Sequence, residues 1–127
     1  MKRVLLATGH KQLDTFIQKF DGYSVEHAIY KKSELLDATR SIQPDMLVVS
    51  DYLSGAEFMI PLLIEASQIK PDMEIIYITP KVQPHDIDRM NQLASLVMAG
   101  IYPVLVESAL SPNRVKMMMD RPPKRED

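Results

Sequence analysis

The chain has 127 residues, no cysteine and a formal net charge of −2. This length suits one domain around a single hydrophobic core, and the shares of hydrophobic (46%) and charged (25%) residues are ordinary for a globular protein. The lack of cysteine excludes disulfides, thiolate metal ligands and cysteine nucleophiles, and it favours a cytoplasmic location. The near-zero charge predicts no nucleic-acid partner, and no apolar run approaches the roughly 20 residues that insert across a membrane.

Short apolar runs alternate with longer amphipathic segments, and together they predict five strand–helix pairs. In chain order the predicted elements are a strand at Val4–Ala7, a helix at His10–Phe20, a strand at Tyr23–Ala28, a helix at Ser33–Ile42, a strand at Met46–Val49, a helix at Ala56–Ile69, a strand at Glu74–Thr79, a helix at Asp86–Ala99, a strand at Ile101–Val106 and a helix from Ser111 to about Met119. The third strand is the most continuously apolar and is expected at the centre of the sheet, whereas the more polar second strand is expected near an edge.

Two prolines and the fourth helix give more detailed expectations. Pro61 requires the third helix either to start later, with the proline in its first turn, or to kink there. Pro103 removes a ladder donor from the fifth strand, which is therefore expected at a sheet edge. The fourth helix carries a set of apolar residues on one side, namely Ile87, Met90, Ala94, Val97 and Met98.

Five successive strand–helix units predict an α/β fold with a parallel sheet and helices on both faces. The predicted domain spans residues 1–119. Residues 120–127 are charged and include two prolines, which is typical of a linker and favours a further domain after it.

The pattern resembles the receiver domain of bacterial response regulators, which implies a flavodoxin-like (CheY-like) three-layer sandwich with strand order 2-1-3-4-5. The resemblance covers roughly residues 2–119. The segments that carry it are Pro44–Val49, Leu53-Ser54-Gly55, Ile75–Thr79 and Ala99-Gly100.

The same resemblance implies a degenerate phosphoacceptor pocket. A working receiver has two acidic residues after the first strand, an aspartate acceptor after the third and a lysine after the fifth. This chain has Thr8 and Gly9, then Ser50 followed by Asp51, then Glu107 at those positions, and only Thr79 matches the family pattern. Aspartyl phosphorylation needs carboxylates to hold Mg²⁺ and a cation to balance the phosphoryl charge. The sequence therefore predicts a non-catalytic pseudo-receiver without a metal or cofactor.

Other functional interpretations of these residues remain open. Asp51 becomes the acceptor if a bulge turns it into the pocket. Ser50 and Thr79 could bind a small anion at the strand ends, which would make the domain a ligand sensor, and Asp51 with Glu107 could hold a divalent metal. In each case the plainer interpretation is a loop carboxylate or hydroxyl that satisfies nearby backbone groups.

A partner surface is predicted from the last helix. Met117, Met118 and Met119 are consecutive, so they cannot all face one side of a helix, and methionine suits adaptable contacts. Receivers commonly pair through the fourth helix, fifth strand and fifth helix, and the resemblance therefore implies a homodimer or a protein partner on this side. The residues expected on that surface are Arg89, Gln92, Tyr102, Met117 and Met118.

Atypical receivers of this kind precede MinD/ParA-like ATPases that act in bacterial pilus assembly and localisation, and the chain is similar to those. The phosphate-binding loop of such an ATPase, glycine-rich and ending in Lys-Ser/Thr, does not occur in this sequence. The expectation is an N-terminal regulatory module for protein–protein interaction in signal transduction.

Overall fold

The computed structural model describes residues 1–106 and 111–122 of the chain. It contains five strands and five helices in strict alternation within those ranges. The strands are β1 (Lys2–Ala7), β2 (Tyr23–Ala28), β3 (Met46–Ser50), β4 (Glu74–Pro80) and β5 (Val104–Val106), and the helices are α1 (Lys11–Ile17), α2 (Leu35–Ile42), α3 (Met59–Ile69), α4 (Ile87–Met98) and α5 (Pro112–Asp120). A 3-10 turn at Lys32–Glu34 leads into α2.

All strand pairs are parallel, and their order in the sheet is β2-β1-β3-β4-β5. The predicted flavodoxin-like fold is thereby confirmed, with β3 at the centre and with β2 and β5 at the two edges. β3 is buried along its whole length because helices cover both faces of the sheet.

Two apolar cores lie on opposite faces of the sheet because successive strand side chains point to opposite sides. Leu47 and Val49 of β3 belong to the core beneath α2, α3 and α4. Met46 and Val48 belong to the core beneath α1 and α5. This alternation fixes which strand-end residues can meet across the edge of the sheet.

Several boundaries differ from the sequence prediction, for local reasons. α3 begins at Met59, so Pro61 lies in the first turn, where its missing N–H removes no helical hydrogen bond. β5 begins at Val104, after Pro103, so the proline does not interrupt the ladder. α1 ends at Ile17, earlier than the predicted Phe20, and Phe16 in its last turn is 51% exposed.

The apolar side of α4 faces solvent. Leu93 and Leu96 are the buried residues of this helix, whereas Met98 is 90% exposed and Ile87 65% exposed. Within the described ranges, no helix is long and apolar enough to cross a membrane.

Candidate functional site at the carboxyl edge of the sheet

Asp51 lies where β3 ends, and its carboxylate accepts hydrogen bonds from three side chains. Oδ1 accepts from the hydroxyl of Tyr77, and Oδ2 accepts from the hydroxyl of Thr79. Nη2 of Arg89 lies 3.3 Å from Oδ2 of Asp51, and it also donates to the hydroxyls of Tyr77 (3.0 Å) and Thr79 (2.9 Å). These four residues are called the Asp51 cluster below.

The strand alternation explains why Asp51 takes part in this cluster. Asp51 continues the phase of Leu47 and Val49, and it points to the face covered by α3 and α4. Tyr77 and Thr79 occupy the same face of the neighbouring strand β4. The cluster is therefore the polar continuation of the core on that face.

Arg89 reaches the cluster from the first turns of α4. It lies four and seven residues before Leu93 and Leu96, so it shares the buried side of the helix with them. Asp86 fixes the start of the helix, because its carboxylate accepts from the backbone N–H of Arg89 at 3.0 Å. The Arg89 and Asp51 side chains are only 27% and 33% exposed, so the ion pair is partly shielded from water.

Ser50 and Thr8 belong to a separate group on the opposite face of the sheet. The Ser50 hydroxyl donates to the backbone carbonyl of Thr8 at 2.6 Å and accepts from the backbone N–H of Tyr52. The Thr8 hydroxyl donates to Asp14 Oδ1 at 2.6 Å and accepts from the backbone N–H of His10. Both hydroxyls therefore form hydrogen bonds with backbone or side-chain groups of this same domain.

Gly9 is required by the close approach of two loops. Its φ is +68°, and a Cβ at this position would lie 2.5 Å from the carbonyl oxygen of Tyr52. A side chain here would push apart the loops that follow β1 and β3.

Asp14 is a buried carboxyl beside this group. It is 2% exposed, and its Oδ2 has no hydrogen-bond partner among the described residues. Burial raises the pKa of Asp14, and the hydrogen bond from Thr8 and the nearby His10 oppose that shift. The fold therefore favours the protonated carboxyl more than water does.

A cleft of about 420 Å³ opens beside the Asp51 cluster. Its lining includes Lys32 from the turn before α2, Phe58 from the loop before α3, and Val82 and Gln83 from the loop before α4. Phe58 is 83% exposed, so one wall of the cleft is an open aromatic ring. Burial, followed by the hydrogen bond to Asp51, raises the pKa of Tyr77, so this phenol remains a neutral donor.

The residues at this site leave few groups free for nucleophilic attack or metal binding. Both oxygens of Asp51 are already engaged, and Arg89 balances its charge. In the described parts of the chain, no group of three histidine, aspartate or glutamate residues lies close enough to hold a metal ion.

The structure divides the predicted pocket residues into two groups. Asp51 and Thr79 are in contact at the cleft, whereas Thr8, Gly9 and Ser50 lie together beyond β3 and do not line the cleft. Glu107, which stands where the family pattern has a lysine after the fifth strand, lies outside the described residues.

The residues predicted for the interaction surface differ in exposure, and they do not all face solvent. Arg89 turns inward to Asp51 rather than outward to a partner, because the buried face of α4 ends at this position. Gln92 and Met117 are exposed, and Met117 is 70% exposed on α5. Tyr102 is half-buried, and Met118 packs against the core beneath α5.

The sequence prediction did not identify Tyr77, Asp14 or the inward role of Arg89. A signal existed for Tyr77, which precedes Thr79 by two residues and so shares its face of β4. A signal also existed for Arg89, whose spacing from Leu93 and Leu96 is helical. The burial of Asp14 depends on Thr8 across the β1–α1 loop, and the sequence carries no sign of it.

Neither a comparison with protein-family models nor one with curated proteins yields a match. Solved structures do match. A CheY-like response regulator receiver domain protein from Methanospirillum hungatei JF-1 superposes with a TM-score of 0.72 at 20% identity, covering 94% of this chain and 91% of that one. A LuxR-family two-component response regulator from Aurantimonas sp. SI85-9A1 gives a TM-score of 0.70 at 18% identity, covering 94% and 83%. The signal receiver domain of NarL from Mycobacterium tuberculosis gives 0.69 at 12% identity, covering 94% of each chain. The chain therefore has the fold of response-regulator receiver domains.

Proposed function

We propose that this domain is a receiver-fold module for protein–protein interaction that does not accept a phosphoryl group. The observation that carries the proposal is the position of Arg89, whose guanidinium binds Asp51, Tyr77 and Thr79 at once. A carboxylate that is paired in this way is a weak nucleophile, because attack would have to break the ion pair and two hydroxyl contacts.

The surroundings of β1 support the same proposal. Mg²⁺ requires oxygen ligands that are free to coordinate it, and carboxylates are the usual protein contribution. The residues that follow β1 are Thr8 and Gly9, and neither has a carboxylate. The carboxyl of Asp14, which is buried in α1, accepts a hydrogen bond from Thr8 and has a raised pKa. These side chains fit a structural role better than a metal site.

Incubation with acetyl phosphate and Mg²⁺, followed by intact-mass measurement, tests the proposal. The expected result is an unchanged mass for the wild type. A gain of one phosphoryl group by the wild type, absent in Asp51→Asn, would overturn it. An Arg89→Met arm shows whether the ion pair is the barrier: a mass gain in this variant alone would support the blocking role of Arg89.

The second candidate function is a phosphoaccepting receiver that uses Asp51. It is favoured by one observation, namely that Asp51, rather than Ser50, contacts Thr79. In this case Arg89 would have to release Asp51 before the carboxylate attacks the phosphodonor. The same experiment separates the two candidates, because only this one predicts a mass gain in the wild type.

The wider role that we propose is that of an N-terminal regulatory module in a larger protein of the MinD/ParA-like ATPase kind. Its support is the combination of a receiver fold with a paired Asp51 and an exposed apolar helix face. Sequencing of the natural protein beyond Asp127 tests it. A downstream ATPase domain with a glycine-rich phosphate loop is expected, and a natural stop codon directly after Asp127 would contradict it.

A further inference from the structure

Most of the exposed aromatic side chains of this domain lie at the carboxyl edge of the sheet. Of the four such side chains in the described parts of the chain, three are on loops at this edge. Tyr30 follows β2 and is 42% exposed, whereas Tyr52 and Phe58, in the loop after β3, are 75% and 83% exposed. Aromatic rings are enriched in the contact surfaces of proteins, so their concentration at one edge marks this edge as a candidate interface.

Backbone contacts hold these loops side by side. The N–H of Lys32, in the loop after β2, donates to the carbonyl of Ser54 at 2.7 Å, and Lys31 forms an isolated parallel bridge with Ser54. Gly9, in the loop after β1, packs against the backbone of Tyr52. The three loops therefore form one continuous surface.

The start of α1 completes this surface. The ammonium of Lys11 lies 5.5 Å from the centre of the Tyr30 ring, within the range of a cation–π interaction. Both side chains are exposed to solvent. The surface is called the loop surface below, and it is defined by Lys11, Tyr30, Lys31, Lys32, Tyr52 and Phe58.

The lysines of the loop surface are not neutralised by the domain itself. Within the described ranges, none of these three lysines forms an ion pair with a carboxylate, whereas Lys2 at the opposite edge of the sheet pairs with Glu74 at 2.5 Å. The exposed carboxylates on the same loops are Glu34 and Glu57, and the ion pair of the Asp51 cluster adds no net charge. The amino ends of α2 and α3 point to this edge and add partial positive charge. The loop surface is thus positive, although the chain as a whole carries a charge of −2.

We propose that the loop surface binds an acidic peptide segment of a partner protein, with apolar residues between its carboxylates. The aromatic rings would contact the apolar residues, and the unpaired lysines would attract the carboxylates. Charge complementarity selects this occupant. A nucleic-acid strand also stacks on aromatic rings, but it depends on more phosphate contacts than three lysines provide. The inference rests on the proposed interaction function, names the chemistry of the partner, and places the contact away from α4, β5 and α5.

Fluorescence anisotropy with two labelled eight-residue peptides tests the proposal. One peptide alternates Glu and Leu, and the other alternates Glu and Ser. The wild type is expected to bind both, and to bind the Glu-Leu peptide more tightly because of the aromatic rings. Lys31→Glu and Tyr52→Ala are each expected to weaken this binding at least about 5-fold.

The chain offers a matched control for each variant. Lys19→Glu changes an exposed lysine outside the loop surface, and Phe16→Ala changes the exposed aromatic residue of α1. Both controls are expected to bind the Glu-Leu peptide as the wild type does, and circular dichroism shows whether each variant is folded.

Three results would overturn the inference: no binding of either acidic peptide, equal losses in the variants and their controls, or tighter binding of a thymidine oligonucleotide than of the Glu-Leu peptide. Each would leave the proposed function standing, because that function fails instead on a phosphoryl gain by the wild type.

Discussion

Arg89 and Asp51 are 38 residues apart in the chain, and their side chains form an ion pair with Nη2 3.3 Å from Oδ2. The pair joins the first turns of α4 to the end of the central strand β3. α4 buries Leu93 and Leu96 against the sheet, and this polar contact adds a third attachment near the start of the helix.

The first prediction concerns the strength of this ion pair. Asp51→Asn and Arg89→Met are each expected to lower the free energy of unfolding, and the double variant is expected to lose less than the sum. The coupling should be about 1 kcal/mol, since the pair is partly shielded but still reached by water. Urea unfolding of the four proteins measures it. Strict additivity would show that the pair contributes nothing to the fold.

The second prediction concerns Asp14 and pH. Burial raises the pKa of Asp14 in the folded state, so the folded protein binds this proton more tightly than the unfolded chain. Stability should therefore fall as the pH rises from the ordinary carboxyl pKa through the raised one. Asp14→Asn removes the buried charge and is expected to stabilise the protein at pH 7 by on the order of 1 kcal/mol.

Thermal unfolding of Asp14→Asn and wild type between pH 3.5 and 7.5 checks this expectation. The difference should be largest at neutral pH and should shrink toward acid. Asp88→Asn, a change to an exposed aspartate, serves as the matched control and should show no such trend. A wild type that is more stable than Asp14→Asn at pH 7 would contradict the prediction.

The third prediction compares two glycines with positive φ. Gly9→Ala must adopt the left-handed region and also place its Cβ 2.5 Å from the carbonyl oxygen of Tyr52. Gly22→Ala has φ +88° but no heavy atom within 4 Å of the added carbon. The expected losses of unfolding free energy are roughly 3 kcal/mol for Gly9→Ala and about 1 kcal/mol for Gly22→Ala. Equal losses in urea titrations would argue against the close approach of the two loops.

The fourth prediction concerns the contact between β2 and α5. The Tyr23 hydroxyl donates to Asp120 Oδ1 at 2.6 Å, and this bond, with Lys116, lowers the pKa of Asp120. A carboxyl with a lowered folded pKa stabilises the protein above its ordinary pKa, and the stabilisation is lost as the pH falls through the lowered one. Tyr23→Phe should therefore reduce the acid dependence of the melting temperature between pH 5 and 2. An unchanged pH profile would show that the bond is not formed in solution.

Local patterns in the sequence were sufficient for the order and type of the elements. Alternation of apolar runs with amphipathic segments predicted five strand–helix units, and the polarity of β2 and the proline before β5 predicted the two edges. Such signals lie within a few residues of each other along the chain, and they report burial directly. The resemblance to receiver domains correctly predicted the strand order.

The candidate site was predicted less completely. Asp51 and Thr79 were identified as neighbours of a strand-end pocket, but Arg89 was assigned to a partner surface. Its true position depends on which side of α4 faces the sheet. The sequence analysis named only the apolar side of this helix that carries Met90 and Val97, whereas the structure buries the side with Leu93 and Leu96. Periodicity alone does not rank two such sides.

The sequence by itself determined the order and type of the elements and the α/β class, because hydrophobic periodicity and turn residues are properties of short segments. Only the tertiary structure decided that Asp51, rather than Ser50, meets Thr79, and that Arg89 neutralises it. These contacts join β3, β4 and α4, and they follow from the phase of each strand and the rotation of one helix. A rotation of α4 by about 100° would exchange its buried and exposed faces, and the packing of Leu93 and Leu96 against the sheet selects the one observed.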